Sequence, residues 1–320
     1  MSKSRIKNTF MSLLEIQNLS TSYNTDGTDV DILDDINLSI NFGESLGIAG
    51  ESACGKSTLG LSIIRMLTDG KITSGDILLD GVSILQKSDS EFDDTYRWKK
   101  ISMIFQGAIN SLNPVFTIKK QMYELLNTHK YPHNFDDAIR ESLKNVNLDD
   151  SVLDSYPHEL SGGMIQRVVI AMAIILKPQI IIADEPTTSL DVLIQAQIIN
   201  LFKKLKRQGV SIILITHDLG VLSEISEKIA IMYAGRIVEF GPSSMIYSAP
   251  QHPYTQELLA SIPKLEGPKP LSIPGTPPNL ADIGTGCRFA PRCKHVMEKC
   301  NTNPPNFKVK SSYSSCWLSE

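Results

Sequence analysis

The chain has 320 residues, 42% of them hydrophobic and 21% charged, with a formal net charge of −4. That apolar content supplies a sizeable core and excludes a disordered, collagen-like or small disulfide-stapled chain. Lys+Arg at 31 against Asp+Glu at 35 leaves no basic excess for nucleic acid or an anionic membrane face.

The longest purely apolar run, Val168–Leu176, falls well short of the ~18 residues that a spanning helix needs. The basic stretch Met1–Phe10 is followed by no apolar segment of the signal-peptide kind. The length predicts two domains, or one large domain with an appendage, located in the cytosol with any membrane role carried by partners.

Residues 1–11 read as a loose tail, and Leu13-Leu14-Glu15-Ile16 opens the first ordered pattern, so the start is open between Met1 and Met11. Strand-like runs follow at Asp35–Ile40 and Ser45–Ala49, then a helical pattern from Lys56 to Leu67 and further strands at Ile77–Leu79 and Ile101–Phe105. From about Ser88 to Pro157 the texture turns polar and mostly helical in period, as at Ile118–Leu126 and Ala138–Val146. Alternation then resumes: helix Ser161–Leu176, strand Ile180–Ala183, helix Val192–Arg207, strand Ser211–Ile215, and strands Ile229–Met232 and Ile237–Phe240. Strands alternating with helices predict a mostly parallel, doubly wound sheet. Short helices are expected at Ser243–Tyr247 and Tyr254–Ile262, and Pro263–Pro278 reads as a linker.

Gly50-Glu51-Ser52-Ala53-Cys54-Gly55-Lys56-Ser57, followed by Thr58, fits the phosphate-loop pattern G-x-x-x-x-G-K-[ST] between a strand and a helix. Successive backbone N–H groups and the positive end of a helix dipole converge there on an anion. Lys56 adds charge for the β- and γ-phosphates, and the Ser57 hydroxyl is placed to ligate Mg²⁺. Ile180–Ala183 runs into Asp184 and Glu185, which a buried strand would bring to the sheet's C-terminal edge beside that loop. Asp184 is then a candidate to hold Mg²⁺ through water, and Glu185 to polarise an attacking water.

Leu160-Ser161-Gly162-Gly163-Met164 opens a long apolar helix, a second place where a hydroxyl, two glycines and a dipole favour an anion. With this string the chain resembles the ATP-binding subunits of ABC transporters. The resemblance implies an α/β fold: a P-loop NTPase (RecA-like) core with antiparallel β elements, a helical insertion subdomain and a small C-terminal extension containing cysteines. It divides the chain into a tail (1–11), an ATPase domain (12–241, with the insertion at about 88–163) and an extension (242–320). It further implies that Ser161, Gly162 and Gly163 cap the γ-phosphate of an ATP held by a partner subunit. Tyr23 corresponds to the residue that stacks on adenine. Gln106 corresponds to a glutamine that senses Mg²⁺ and the attacking water. Ser189-Leu190-Asp191 corresponds to a loop crossing the dimer interface, and His217 to a histidine contacting the γ-phosphate.

Further strings, Ser111-Leu112-Asn113-Pro114, Tyr156-Pro157-His158-Glu159, Gln251-His252-Pro253-Tyr254-Thr255 and Ile273-Pro274-Gly275, resemble the dipeptide/oligopeptide (and nickel) importers of that family. This implies an ATPase peripheral to the cytoplasmic face of the membrane. Its partners would be two membrane-spanning permease subunits, a second ABC ATPase subunit, identical or related, and indirectly an extracytoplasmic substrate-binding protein. Peptides are the implied cargo, with nickel complexes or oligosaccharides as alternatives. A non-transport ABC ATPase acting on DNA or ribosomes fits less well, because the chain has no tandem second half, no long coiled coil and no basic excess. The basic residues Lys203, Lys204, Lys206 and Arg207 read as a solvated last helical turn rather than a nucleic-acid patch.

Four of the five cysteines, Cys287, Cys293, Cys300 and Cys316, fall in the last 34 residues. Four thiolates suit either a [4Fe–4S] cluster, which the resemblance implies, or structural Zn²⁺. Some positions depart from the family pattern. Ala53 and Cys54 stand where Gly or Ser is usual; Ala53 is expected to resist a positive φ, and Cys54 to make the loop sensitive to thiol reagents. Gly107-Ala108 and Ile165 are expected to weaken contacts with the transport subunits or the opposing nucleotide.

Overall fold

The computed structural model describes residues 12–25, 27–263 and 272–320. The expected tail, 1–11, and residues 264–271 of the expected linker lie outside the described residues. The chain opens with β1 (Leu14–Thr25), β2 (Thr28–Ile40) and β3 (Ser45–Ala49), then α1 (Lys56–Ile63), β4 (Gly70–Leu79), β5 (Val82–Ser83), α2 (Asp89–Thr95) and β6 (Ile101–Ile104). The middle holds α3 (Ile118–Thr128), α4 (Phe135–Asn145), α5 (Gly162–Ile174), β7 (Ile180–Asp184), α6 (Val192–Arg207), β8 (Ser211–Ile215) and α7 (Leu219–Ile225). Then come β9 (Lys228–Tyr233), β10 (Arg236–Pro242), α8 (Ser243–Ser248), α9 (Pro253–Ala260) and a hairpin of β11 (Phe307–Val309) and β12 (Ser312–Ser314).

Two sheets form. The larger runs β11-β12-β10-β9-β3-β8-β7-β6, parallel from β9 across to β6; the smaller is antiparallel, β2-β1-β4-β5. The parallel strands are apolar at nearly every position because both of their faces are covered. Ile180, Ile182, Ile213 and Ile215 point into a core shared with α1 and the antiparallel sheet, where Leu59, Ile63, Leu33 and Ile36 lie. Their neighbours Ile181, Ala183, Ile212 and Leu214 point into a second core with α5 and α6, where Val168, Ala171, Ile198 and Phe202 lie. The period of two thus splits one strand between two cores.

Several boundaries differ from the sequence reading. β2 begins at Thr28, well before Asp35, and β1 runs on to Thr25; the Asp-rich run Thr28–Asp34 hides a strand in which Thr28, Asp29 and Asp31 face solvent while Asp34 pairs with Arg236 and Arg288. α1 stops at Ile63, with Ile64 as its C-cap and Arg65 at φ 54°, instead of reaching Leu67. β6 pairs with β7 in the parallel sheet, so the interval 88–163 contains a core strand as well as helices. α2 is capped by Ser88, whose hydroxyl accepts the Glu91 N–H at 3.2 Å. The C-terminal extension also continues the main sheet, since β12 pairs with β10 through Glu239↔Ser314 and Phe240↔Tyr313.

Candidate functional site

β3, β8 and β7 are adjacent and in register, with Ile48 opposite Ile215 and Ile215 opposite Asp184. The segments leaving their C-terminal ends, Gly50–Ser57, Thr216-His217 and Asp184-Glu185, therefore emerge side by side on one edge of the sheet. That edge is where open α/β sheets place ligands.

Gly50 takes φ 155° and Gly55 φ 101°. A Cβ on Gly50 would run into the Met232 carbonyl, and one on Gly55 would lie 2.8 Å from Leu33 Cδ2, so the loop is drawn tightly against β9 and β2. Ala53 adopts φ 60°. The expectation that it would resist a positive φ is overturned; the loop imposes the left-handed conformation at a cost of about 1 kcal/mol or somewhat more. The expected thiol sensitivity at Cys54 is also at odds with the structure, because the side chain is buried and burial pushes the thiol up from its ordinary value. Ser52 and Ala53 are exposed at the loop's crest, while Lys56 is buried and its ammonium donates to the Gly50 and Glu51 carbonyls, each at 2.8 Å. Ser57 and Thr58 follow Lys56 in the first turn of α1.

Asp184 is buried, its Oδ1 accepts no hydrogen bond, and burial raises its carboxyl above the ordinary value against the opposing effect of the Ser57 hydroxyl. A buried carboxylate oxygen with an open lone pair beside a serine hydroxyl is the donor set of a hard divalent cation. Glu185 follows at φ 50°, its N–H donating to the Ile215 carbonyl at 2.8 Å. Its Oε1 accepts the His217 backbone N–H at 3.1 Å and lies 2.8 Å from His217 Nδ1. Its Oε2 accepts the hydroxyls of Thr188 at 2.9 Å and Thr216 at 3.3 Å. The side chain of Glu185 is 10% exposed and that of His217 67%. The carboxylate is thus fixed in place while the imidazole edge meets solvent. The two threonines were not singled out in the sequence; Thr216 directly precedes the candidate histidine and was the only available signal.

Ser161 is the N-cap of α5, its hydroxyl accepting the Met164 N–H at 3.3 Å. Ser161 and Gly162 are exposed. Gly163 is buried, and a Cβ there would sit 2.9 Å from Ile194 Cγ2 at the start of α6. Ser189 has φ 64°, and Asp191 caps α6 by accepting the Ile194 N–H at 2.9 Å. Val192 and Leu193 beyond it are 78% and 76% exposed, an apolar step beside the glycine-rich helix start. Gln106 follows β6 and is exposed, with Gly107 after it at φ 77°. Tyr23 lies in β1 opposite Gly70 of β4, where a Cβ would come within 2.9 Å of its ring. The structure therefore gathers the phosphate loop, Asp184, Glu185 and His217 on one edge, and sets the Ser161–Gly163 helix start against the Ser189–Asp191 segment.

The four C-terminal cysteines line a single pocket with His252, Phe289, Met297 and Trp317. Burial raises the thiols of Cys287, Cys293 and Cys316. Among the described residues no three Cys, His, Asp or Glu side chains converge at the spacing of a single metal ion. His252 is buried and burial pushes its pKa down to about 4, so the ring is neutral. Its Nδ1 accepts the Tyr254 N–H at 3.0 Å, which places the ring proton on Nε2, and Nε2 has no acceptor in the protein.

Comparison with known proteins agrees with this architecture. The ABC transporter family profile matches residues 33–188, and that of the oligopeptide/dipeptide transporter C-terminal region matches residues 238–300. A dimeric ATP-binding cassette, MJ0796, solved in a post-hydrolysis state with ADP and Pi, is 28% identical with a TM-score of 0.65, covering 72% of this chain and 98% of that one. The fold is that of an ATP-binding, ATP-hydrolysing ABC cassette. The oligopeptide transport ATP-binding protein OppD of Salmonella typhimurium is 44% identical over 302 residues, 92% of this chain and 89% of that protein. The dipeptide transport ATP-binding protein DppD of Bacillus subtilis is 42% identical over 320 residues, 96% and 95% of the two chains. The chain belongs to the ATP-binding subunits of the oligopeptide/dipeptide ABC transporter family. No helix among the described residues is long and apolar enough to cross a membrane.

Proposed function

We propose that this subunit binds ATP between its own phosphate loop and the Ser161–Gly163 face of a second ATPase subunit, and that hydrolysis drives peptide import through two membrane-spanning partners. It would act from the cytoplasmic face of the membrane, without entering it, while an extracytoplasmic binding protein delivers cargo to the membrane-spanning partners. The observation that carries the reading is the Glu185–His217 contact at 2.8 Å on the sheet edge that also bears the phosphate loop. Phosphoryl transfer asks for an aligned water and neutralised charge more than for covalent chemistry. The Ser52–Thr58 N–H groups and Lys56 hold the β- and γ-phosphates. Glu185, held by two threonines and His217, accepts a proton from the attacking water. His217, tethered through Nδ1, presents its other ring nitrogen to the γ-phosphate. Ser57, Asp184 and Gln106 are the residues that would hold Mg²⁺, which when bound neutralises phosphate charge. Tyr23 supplies a stacking face for adenine, and the exposed Val192-Leu193 step supports an apposed second cassette.

The four cysteines are proposed to hold a [4Fe–4S] cluster, with zinc as the alternative. Their shared pocket supports a common occupant held by the four thiols, and the unpaired His252 Nε2–H on its wall would serve an occupant that can accept a hydrogen bond. Its role is structural, since ATP-driven transport involves no redox step.

The test is co-expression with the permease subunits that a peptide importer requires. The subunit should co-purify with two strongly hydrophobic chains, and peptide with its binding protein should stimulate ATP hydrolysis; DNA-stimulated hydrolysis without such partners would refute the reading. An anaerobic preparation should be brown with absorbance near about 400 nm, whereas a colourless preparation with stoichiometric zinc would reject the cluster.

A further inference from the structure

The phosphate loop is gripped from outside the ATPase core. Arg292 lies in the cysteine-containing extension, one residue before Cys293, and its side chain is 5% exposed. Its Nη1 donates to Glu51 Oε2 at 2.6 Å and its Nη2 to Glu51 Oε1 at 3.0 Å, a two-pronged pairing across 241 positions of sequence. Nη1 also reaches Tyr233 Oη at 3.2 Å, and Nε donates to the Pro274 carbonyl at 2.7 Å, so every nitrogen of the guanidinium is engaged. Tyr233 and Phe289 face the guanidinium and pack with Tyr254 on one another, with ring centroids 4.6 to 5.4 Å apart. The Glu51 carboxylate in turn strengthens the hold of Arg292 on its charge.

Glu51 is engaged through its backbone too. Its N–H donates to Tyr254 Oη at 2.9 Å, and its carbonyl accepts Lys56 at 2.8 Å. Side chain, N–H and C=O of the loop's second residue are all committed, two of them to residues beyond the sheet. A planar, permanently charged fork is the side chain that fixes a carboxylate in both position and orientation. A surface ion pair would do neither, but this one is walled by aromatic rings.

We propose that Arg292 is a positioning residue for ATP binding: by gripping Glu51 it holds the entry of the phosphate loop in the shape that turns the following N–H groups toward phosphate. The C-terminal extension is then a working part of the nucleotide site, and the backbone that carries Cys293 into its pocket also carries the clamp. This rests on reading Gly50–Ser57 as the phosphate cradle.

The experiment titrates the full-length subunit with a fluorescent ATP analogue, using Arg292→Ala, Glu51→Gln, the double variant, Arg292→Lys and Lys56→Ala. Arg292→Ala and Glu51→Gln should each weaken affinity about tenfold, the double variant no further than the weaker-binding single one, and Arg292→Lys less than Arg292→Ala. In the assembled transporter, Arg292→Ala should raise KM for ATP and keep kcat within about twofold. An arginine that only stabilised the fold would lower kcat at unchanged KM. Normal affinity in Glu51→Gln, independent additive losses in the double variant, or a kcat loss at unchanged KM would each overturn the clamp. Lys56→Ala separates the two levels. If it binds ATP normally the cradle reading itself fails, whereas a defective Lys56→Ala beside a normal Glu51→Gln removes the clamp alone.

Discussion

Glu185→Gln isolates the proton-accepting role from every structural one. Glutamine has the same shape, and its carbonyl oxygen can take the place of Oε1, accepting the His217 N–H at 3.1 Å and facing Nδ1 at 2.8 Å. Its amide then faces the Thr188 and Thr216 hydroxyls at 2.9 and 3.3 Å, and a hydroxyl accepts as readily as it donates. No buried polar atom is orphaned, so the fold should change by less than about 1 kcal/mol. The amide cannot take a proton from water. Loss of a positioned base lowers turnover by roughly a hundred- to ten-thousand-fold, equivalent to about 3–5 kcal/mol of barrier. Phosphate release by the assembled complex at saturating ATP reads the turnover, and a binding titration on the same preparation reads ATP affinity. Turnover near wild type would refute the role given to Glu185; turnover and affinity lost together would show that the side chain shapes the site instead.

Gly163→Val would push Cγ atoms of Ile194 and the start of α6 away from α5, because even a Cβ comes within 2.9 Å. Displacement of about an ångström should cut ATPase of the assembled complex roughly a hundredfold while the isolated subunit still binds ATP; full activity would deny that this junction sets the geometry. Asp184→Asn should raise the thermal midpoint of the isolated subunit at neutral pH and abolish cation-dependent hydrolysis. The sign follows from the raised folded-state carboxyl: protonated Asp184 carries no burial penalty below its ordinary value of 3.8, and the penalty grows as pH rises through the higher folded value. An unchanged or lower midpoint at neutral pH would contradict this. Iodoacetamide applied to native protein should leave Cys54 unlabelled by mass spectrometry, whereas denatured protein should label it fully. Rapid native labelling would mean that the loop opens far more readily than its packing indicates.

The chemistry of the site was legible because phosphate binding restricts residue type directly. Gly50 and Gly55 stand where a side chain would collide, and Asp184 ends a strand with no polar residue before it. β3, β8 and α6 were readable to the residue because their patterns are pure and their ends are marked by Gly, Thr or a capping Asp. The strand at Thr28–Asp34 was not, since one face of a partly solvated antiparallel strand carries Asp at alternate positions and reads as loop. α7 is only seven residues long and gives too few turns for a period, though its Asp218 cap was there to see. The Arg292–Glu51 pair joins residues that nothing in local sequence connects; tertiary packing, including the aromatic rings beside the pair, brings them together. Ala53 shows the opposite failure, a local preference overruled by the loop around it.

The pairing of β12 onto β10 has a practical bearing on how this protein is handled. A chain shortened ahead of Phe307 would leave β10 as the outermost strand of an eight-stranded sheet cut to six, its peptide groups bare on one side. Such an unguarded border invites a strand from a neighbouring molecule. The last few residues therefore act as a stopper against self-association, and a truncated version would be expected to precipitate even with its catalytic residues intact.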